Sequence, residues 1–302
     1  MSNLSPVSPL ETRPHGSNPN LLHRPTARLP SGSVMPLIGL GTWESPPGQV
    51  GKAVTEALAC GCRHIDCAHV YGNEREIGRA LRKARVPRAE LFVTSKIWNT
   101  FRTAEQVRSC CQTSLSDLGI DYLDLLLVHF PVGGRAALKE TWQTMEALVD
   151  QGKCKHIGVS NYYEDDIADL LSYARIMPSC NQIELHPRLP QEALVATCKR
   201  HGMVVTAYSP FGRGARGGML DHPVVSDIAR KHSVAASTVL LGWSLARGVP
   251  ALPKAVTPSH IRLNHSDEVY DLTLDAEDLS ALRSLNDGAR FVPFYNHQTR
   301  RK

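Results

Sequence analysis

Short apolar runs along this 302-residue chain end repeatedly on side chains that could do chemistry. In chain order the ends are Gly41-Thr42-Trp43, Asp66, Lys96 with Trp98, His129, Ser160-Asn161, Gln182 with Glu184, Tyr208-Ser209, and Lys254. Asp, Lys, His and Tyr can hold or pass protons, and a lysine amine can also attack a carbonyl to form a Schiff base. Singly, each has a structural reading, since an Asp caps helices and a His often only bonds backbone. Gathered at one mouth, they would make a site. The eight cysteines, at 60, 62, 67, 110, 111, 154, 180 and 198, add no metal chemistry. They form no C-x-x-C pair, so neither a zinc site nor a thioredoxin-like motif is signalled.

Those side chains need elements that aim them the same way. Apolar, β-branched runs at 37–41, 64–66, 91–96, 122–129, 156–160, 181–184, 204–208 and 249–253 alternate with segments of helical period. In one such segment Ala104, Val107, Cys111, Leu115 and Leu118 step by three or four, and in another Leu138, Trp142, Met145 and Val149 do the same. Pro190 is placed to open a helix that stops near His201-Gly202. Eight runs, each followed by helix, fit a closed parallel sheet better than an open one and predict an α/β fold, a (β/α)8 TIM barrel. In such a barrel catalytic residues lie where the strands end. The segment 28–34 (RLPSGSV) reads as a short N-terminal β-hairpin before the first barrel strand. Residues 1–26, rich in Ser, Pro and Asn and without periodicity, read as a disordered N-terminal extension, leaving 27–302 as a single barrel domain.

Charge narrows the partners. The chain carries 34 basic and 29 acidic side chains, a formal net charge of +5. The excess belongs to residues 1–30 and to Arg300, Arg301 and Lys302, leaving 28 of each sign over residues 31–295. No broad basic face is expected, and so no nucleic-acid partner. The longest apolar stretch, 122–132, is interrupted by Asp124 and His129 and falls short of the ~18 residues a spanning helix needs. The first twenty residues hold no apolar run suited to a secretory signal. Uncrowded thiols in a chain of this length fit a reducing, cytoplasmic setting. The expectation is a monomer with no membrane partner.

The segment Gly61-Cys-Arg-His-Ile-Asp66-Cys-Ala-His-Val-Tyr71-Gly-Asn-Glu74 makes the reading specific. It resembles the aldo-keto reductase signature, in which an Asp is followed five residues later by a Tyr. Residues 118–131 (LGIDYLDLLLVHFP) resemble the strand that delivers the family's His, and residues 252–264 (LPKAVTPSHIRLN) resemble its cofactor-phosphate loop. The resemblance is nearest to aldehyde-reductase-like members and runs from about residue 29 to 290. It implies a catalytic tetrad of Asp66, Tyr71, Lys96 and His129, with Tyr71 as proton donor for NADPH-dependent reduction of a small-molecule carbonyl. A tyrosine, with a reference pKa near ~10, is a reluctant acid. An ammonium beside it, here Lys96 steadied by Asp66, lowers that value, while His129 orients or polarises the carbonyl oxygen.

The same resemblance implies cofactor contacts from Gly41, Thr42, Trp43 and Asp66, from Ser160, Asn161 and Gln182 on the nicotinamide carboxamide, and from Tyr208 stacked on its ring. Ser209 and Phe211 match positions on the pyrophosphate loop, and Lys254, His260, Arg262 and Asn264 fall at the adenosine end. Trp43, Tyr71, Trp98, His129 and Phe130 would line the substrate side. No metal is implied. The short connection from His129 to a helix opening near Leu138, and the short segment 291–302, predict an open and weakly selective pocket.

Departures from relatives carry information too. Gly212-Arg-Gly-Ala-Arg-Gly217 matches G-x-G-x-x-G, but no phosphate-binding helix or later strand with a terminal acid follows, so it is read as a loop. Glu44 stands where related reductases often have Lys, and Arg213 and Arg216 flank the place of their Asp, which predicts a clasp of reversed polarity over the cofactor. Ala255 and His260 replace the Ser and Arg usual in NADPH-preferring members. This predicts NADPH over NADH, with NADH a weaker alternative and a reduced margin. Two other readings stay open: a non-catalytic, cofactor-binding regulatory subunit on the same barrel, and a Schiff-base enzyme acting through Lys96 or Lys254.

Overall fold

A computed structural model describes residues 24–212 and 218–292. Most of the expected extension, residues 1–23, lies outside them, as do Arg213, Arg216, most of the G-x-G-x-x-G segment and residues 293–302.

The apolar runs become eight parallel strands: β3 (Leu40–Gly41), β4 (His64–Asp66), β5 (Phe92–Ile97), β6 (Leu123–Val128), β7 (Cys154–Ser160), β8 (Cys180–Glu184), β9 (Val204–Tyr208) and β10 (Ala251–Leu252). Each pairs with its neighbour in sequence order. Closure comes from bridges Ile38 to Ala251 and Gly41 to Lys254, with Gly41 N–H donating to Pro253 O at 3.0 Å. The two closing runs are therefore shorter as strands than the sequence suggested, because only part of each has a partner edge. Gly39 and Gly41 permit the seam. A Cβ on Gly39 would lie 2.7 Å from Leu252, and one on Gly41 would lie 2.9 Å from the Leu252 carbonyl.

Helices α1 (Val50–Ala59), α2 (Glu74–Ala84), α3 (Ala104–Leu118), α4 (Gly134–Asp150), α5 (Glu164–Leu171) and α6 (Glu192–Arg200) follow β3 to β8 in turn. Two helices, α7 (Pro223–His232) and α8 (Ala236–Ala246), separate β9 from β10, and α9 (Pro258–Asn264), α10 (Asp267–Asp271) and α11 (Ala276–Arg283) follow. Strand periodicity sorts the core into two sets. Outward residues such as Val93, Ile97, Leu126, Val128, Ile157, Val159, Ile183 and Val205 join the helix faces in one large cluster. Inside the barrel a smaller cluster of Phe92, Leu125, Leu127 and Cys180 is sealed by Leu29 and Met35.

Those last two residues belong to the hairpin, β1 (Thr26–Arg28) paired antiparallel with β2 (Val34–Pro36). Its turn lies where RLPSGSV was expected, with Gly32 at φ 89°, a conformation glycine adopts at no steric cost. The expected boundary at residue 26 falls inside β1. Helix α4 begins at Gly134, ahead of the position expected near Leu138. Gly133, at φ 117°, makes that early turn.

Candidate active site

The strand ends converge on one cavity of about 880 Å³. At its floor β4 supplies Asp66 and β5 supplies Lys96, adjacent parallel strands in the barrel. Lys96 is 1% exposed. Its Nζ donates to Asp66 Oδ1 at 2.9 Å and Oδ2 at 2.8 Å, to Cys67 O at 2.8 Å, and to Tyr71 OH at 3.3 Å. Tyr71 comes from a single 3-10 turn, His69–Tyr71, that ends on Gly72 at φ 67°. The turn is held from both sides. Asn73 Nδ2 donates to Thr42 O at 2.9 Å, and Thr42 Oγ1 donates to Asp66 O at 2.8 Å.

Charge and burial oppose one another here. Burial alone would lower the pKa of Lys96, but the Asp66 carboxylate and Tyr71 beside it hold the ammonium above its ordinary value. Burial of the Tyr71 hydroxyl pushes its pKa up to about 12, and Lys96 only partly offsets that. The sequence predicts that Lys96 lowers the tyrosine value. The attraction is present, and desolvation outweighs it. His129, following β6, is held well below 6.5 by burial and by the Lys96 charge, so its ring is neutral at neutral pH. Its ring meets Tyr71 edge-on at 5.8 Å and Trp98 at 5.0 Å, and stacks on Phe130 at 5.1 Å.

On the opposite strands a second polar network lines the cavity. Tyr208 OH donates to Asn161 Oδ1 at 2.7 Å, and Asn161 Nδ2 donates to Ser160 Oγ at 3.0 Å and His129 O at 2.9 Å. Ser160 Oγ donates to Gln182 O at 2.7 Å, and Gln182 Nε2 donates across the barrel to Asp66 Oδ1 at 2.7 Å. One chain of hydrogen bonds therefore runs from Tyr208 to Tyr71 through the charged pair. Asn161, Ser209 and Glu44 all have positive φ, at 62°, 50° and 52°, and all line the cavity. Such backbone costs about 1–3 kcal/mol per residue and clusters at functional sites.

Of the residues picked from sequence, Gly41, Thr42, Trp43, Asp66, Tyr71, Trp98, His129, Phe130, Ser160, Asn161, Gln182, Tyr208, Ser209, Phe211, Lys254, His260 and Asn264 line this cavity. Lys96 lies behind Asp66 and Tyr71, off the wall. Arg262 is not among the wall residues, and its guanidinium is paired with Glu56 of α1. Glu44 is on the wall, while its expected partners Arg213 and Arg216 lie outside the described residues. Sequence reasoning missed Val70, Leu220, Ala235, Ser237 and Val292, which also line the cavity. They are apolar or small, and only the fold brings them there. Among the described residues no group of acidic, His or Cys side chains could hold a metal ion, and no helix is long and apolar enough to cross a membrane.

A barrel with this floor has clear relatives. Residues 37–287 match the model of the aldo/keto reductase family. Aldo-keto reductase family 1 member A1-A of Danio rerio is 43% identical over 297 residues, covering 88% of this chain and 91% of that protein. The Homo sapiens family 1 member A1 is 42% identical over 294 residues, covering 87% and 90%. Among solved structures, a Bombyx mori aldo-keto reductase in complex with NADP superposes with a TM-score of 0.84 at 35% identity, covering 90% of this chain and 95% of that one. An aldo-keto reductase from a deep-sea metagenome library superposes with a TM-score of 0.84 at 37% identity, covering 89% and 99%. The chain belongs to the aldo/keto reductase family.

Proposed function

We propose that this protein is an NADPH-dependent reductase of aldehydes, and of some ketones, with Tyr71 as the proton donor. The observation that carries the reading is the buried Asp66–Lys96–Tyr71 chain ending at a cavity beside a neutral His129. Reduction needs a proton at the carbonyl oxygen. Tyr71 holds one throughout the neutral range, and Lys96 beside it stabilises the phenolate left after transfer. Asp66 keeps Lys96 charged and in place. The neutral imidazole of His129 can bond the same oxygen and orient it, and Trp98 and Phe130 fix that ring.

The cavity fits a dinucleotide. Its volume is at the upper end of the ~300–1,000 Å³ typical of ligand sites, and its wall runs from Tyr71 and His129 to Lys254 and His260. Ser160, Asn161 and Gln182 would hold the amide of the nicotinamide, and Tyr208 would lie against its ring. Gly41, Thr42, Trp43, Asp66, Ser209 and Phe211 would flank its middle, with Lys254, His260 and Asn264 at the adenosine end. When bound, the reduced nicotinamide supplies the hydride. Lys254 and His260 are exposed and can meet the extra phosphate of NADPH. With Ala255 lacking a hydroxyl and Arg262 drawn to Glu56, the preference over NADH is small. All eight cysteines are thiols and seven are buried, which supports action in a reducing compartment such as the cytoplasm.

Lys96 is no Schiff-base nucleophile in this reading, because its amine is buried, charged and fully bonded. The test is NADPH consumption with 4-nitrobenzaldehyde, followed by absorbance beside a titration of NADPH and NADH binding. Turnover, with tighter binding of NADPH than NADH, is expected. Binding of NADPH without turnover would overturn the enzymatic reading in favour of a regulatory barrel.

A further inference from the structure

Strand β8 ends on a carboxylate that the chemistry above does not use. Glu184 is 1% exposed. Its Oε1 accepts the backbone N–H of Phe291 at 2.6 Å, and its Oε2 accepts that of Val292 at 3.4 Å. The Nε2 of buried His186 lies 3.2 Å from the same Oε1. The loop after β8 holds the rest of this C-terminal strap. The Arg188 carbonyl accepts the N–H groups of Asp287 and Gly288 at 3.3 and 3.0 Å, and the Arg188 guanidinium pairs with the Asp287 carboxylate at 3.0 Å. Arg290 donates to Gln191 Oε1 at 3.3 Å. The Phe291 ring meets His186 edge-on at 5.1 Å. It also covers Gly212, where a Cβ would come within 2.7 Å of it. The next residue, Val292, is part of the cavity wall with Trp98 and Phe130.

Two successive backbone N–H groups aimed at one buried carboxylate fix the path of the chain at that point. Such bonds to an ionised acceptor are about twice as strong as neutral ones. Chain ends without a tether are poorly ordered, and a wall built from one would not discriminate among ligands. We propose that Glu184 is a specificity-determining positioning residue, which by binding the N–H groups of Phe291 and Val292 turns the C-terminal strap into a fixed wall of the carbonyl pocket. The inference rests on the reading of this site as a carbonyl reductase. Glu184 makes no hydrogen bond to Asp66, Tyr71, Lys96 or His129, so its effect falls on substrates large enough to reach Val292.

Steady-state kinetics with NADPH on propionaldehyde and on 2-naphthaldehyde test this, using Glu184→Gln, Glu184→Ala, Val292→Ala and the Glu184→Ala/Val292→Ala pair. Glu184→Ala is expected to raise KM for the naphthaldehyde by about 10-fold, with propionaldehyde constants changed by less than ~2-fold. Glu184→Gln should show a smaller rise, because its amide keeps a single acceptor oxygen. Val292→Ala should reproduce the selective rise, and the double variant should add little to it, as expected of residues acting through one device. Equal changes for both aldehydes, additive effects in the double variant, or no change in any variant would overturn the proposal. Should Glu184→Ala fail to fold, Glu184→Gln with Val292→Ala supplies the same comparison. A wild-type protein that reduces neither aldehyde would instead overturn the carbonyl-reductase reading itself.

Discussion

The ammonium of Lys96 has four oxygen contacts and almost no water, and that single atom organises the chemistry proposed for the site. Removing either member of a buried ion pair leaves the other uncompensated, at a cost of about 3–5 kcal/mol. Asp66 therefore serves the fold as well as the proposed reaction. The pH behaviour follows from two neighbouring groups. In the proposed reaction the proton is on Tyr71 below its pKa, which burial pushes up to about 12, and is lost above it. His129 is held below 6.5 and so stays neutral across the working range. A profile of kcat/KM for aldehyde reduction should stay level from neutral pH past the ordinary tyrosine value of 10.0 and decline only beyond it. A basic limb below that value, or an acid limb centred at the ordinary histidine value of 6.5, would contradict the assignment.

Helix α2 shows how an element serves a residue it does not contain. Its first residue, Glu74, accepts a hydrogen bond from Ser95 Oγ at 2.6 Å, beside Lys96 in the chain. The loop that presents Tyr71 is thus clamped between α2 and β5. The helix can sit there because Gly78 lets it cross α3 closely: a Cβ would lie 2.4 Å from the Asp117 carbonyl and 2.5 Å from that of Leu118. Alanine favours a helix by about 1 kcal/mol over glycine, but overpacking against rigid backbone costs typically about 1–3 kcal/mol. Gly78→Ala should therefore be net destabilising in urea unfolding, and a neutral or stabilised variant would contradict this packing. Periodicity made α3 legible from its apolar steps. The early start of α4 was hidden, because it depends on the positive φ of Gly133 and not on any apolar pattern.

Across the whole molecule, the barrel was legible because eight apolar runs alternated with helical segments and each ended on a polar or aromatic side chain. Contacts between distant segments were not. Gln182 reaches Asp66 over 116 residues of sequence, and Glu184 reaches Phe291 over 107. Arg262 pairs with Glu56 over 206. Residue type showed what such groups could do, and only closure of the barrel fixed their partners. That closure also brings Tyr71, His129, Ser160, Asn161 and Gln182 onto one wall, the juxtaposition on which the proposed reduction rests. NADPH oxidation with 4-nitrobenzaldehyde, compared between wild type and Tyr71→Phe with NADPH affinity measured alongside, tests it most directly. Tyr71→Phe is expected to lower kcat by about 10²–10⁴-fold with NADPH affinity unchanged. Wild-type turnover in Tyr71→Phe would contradict it.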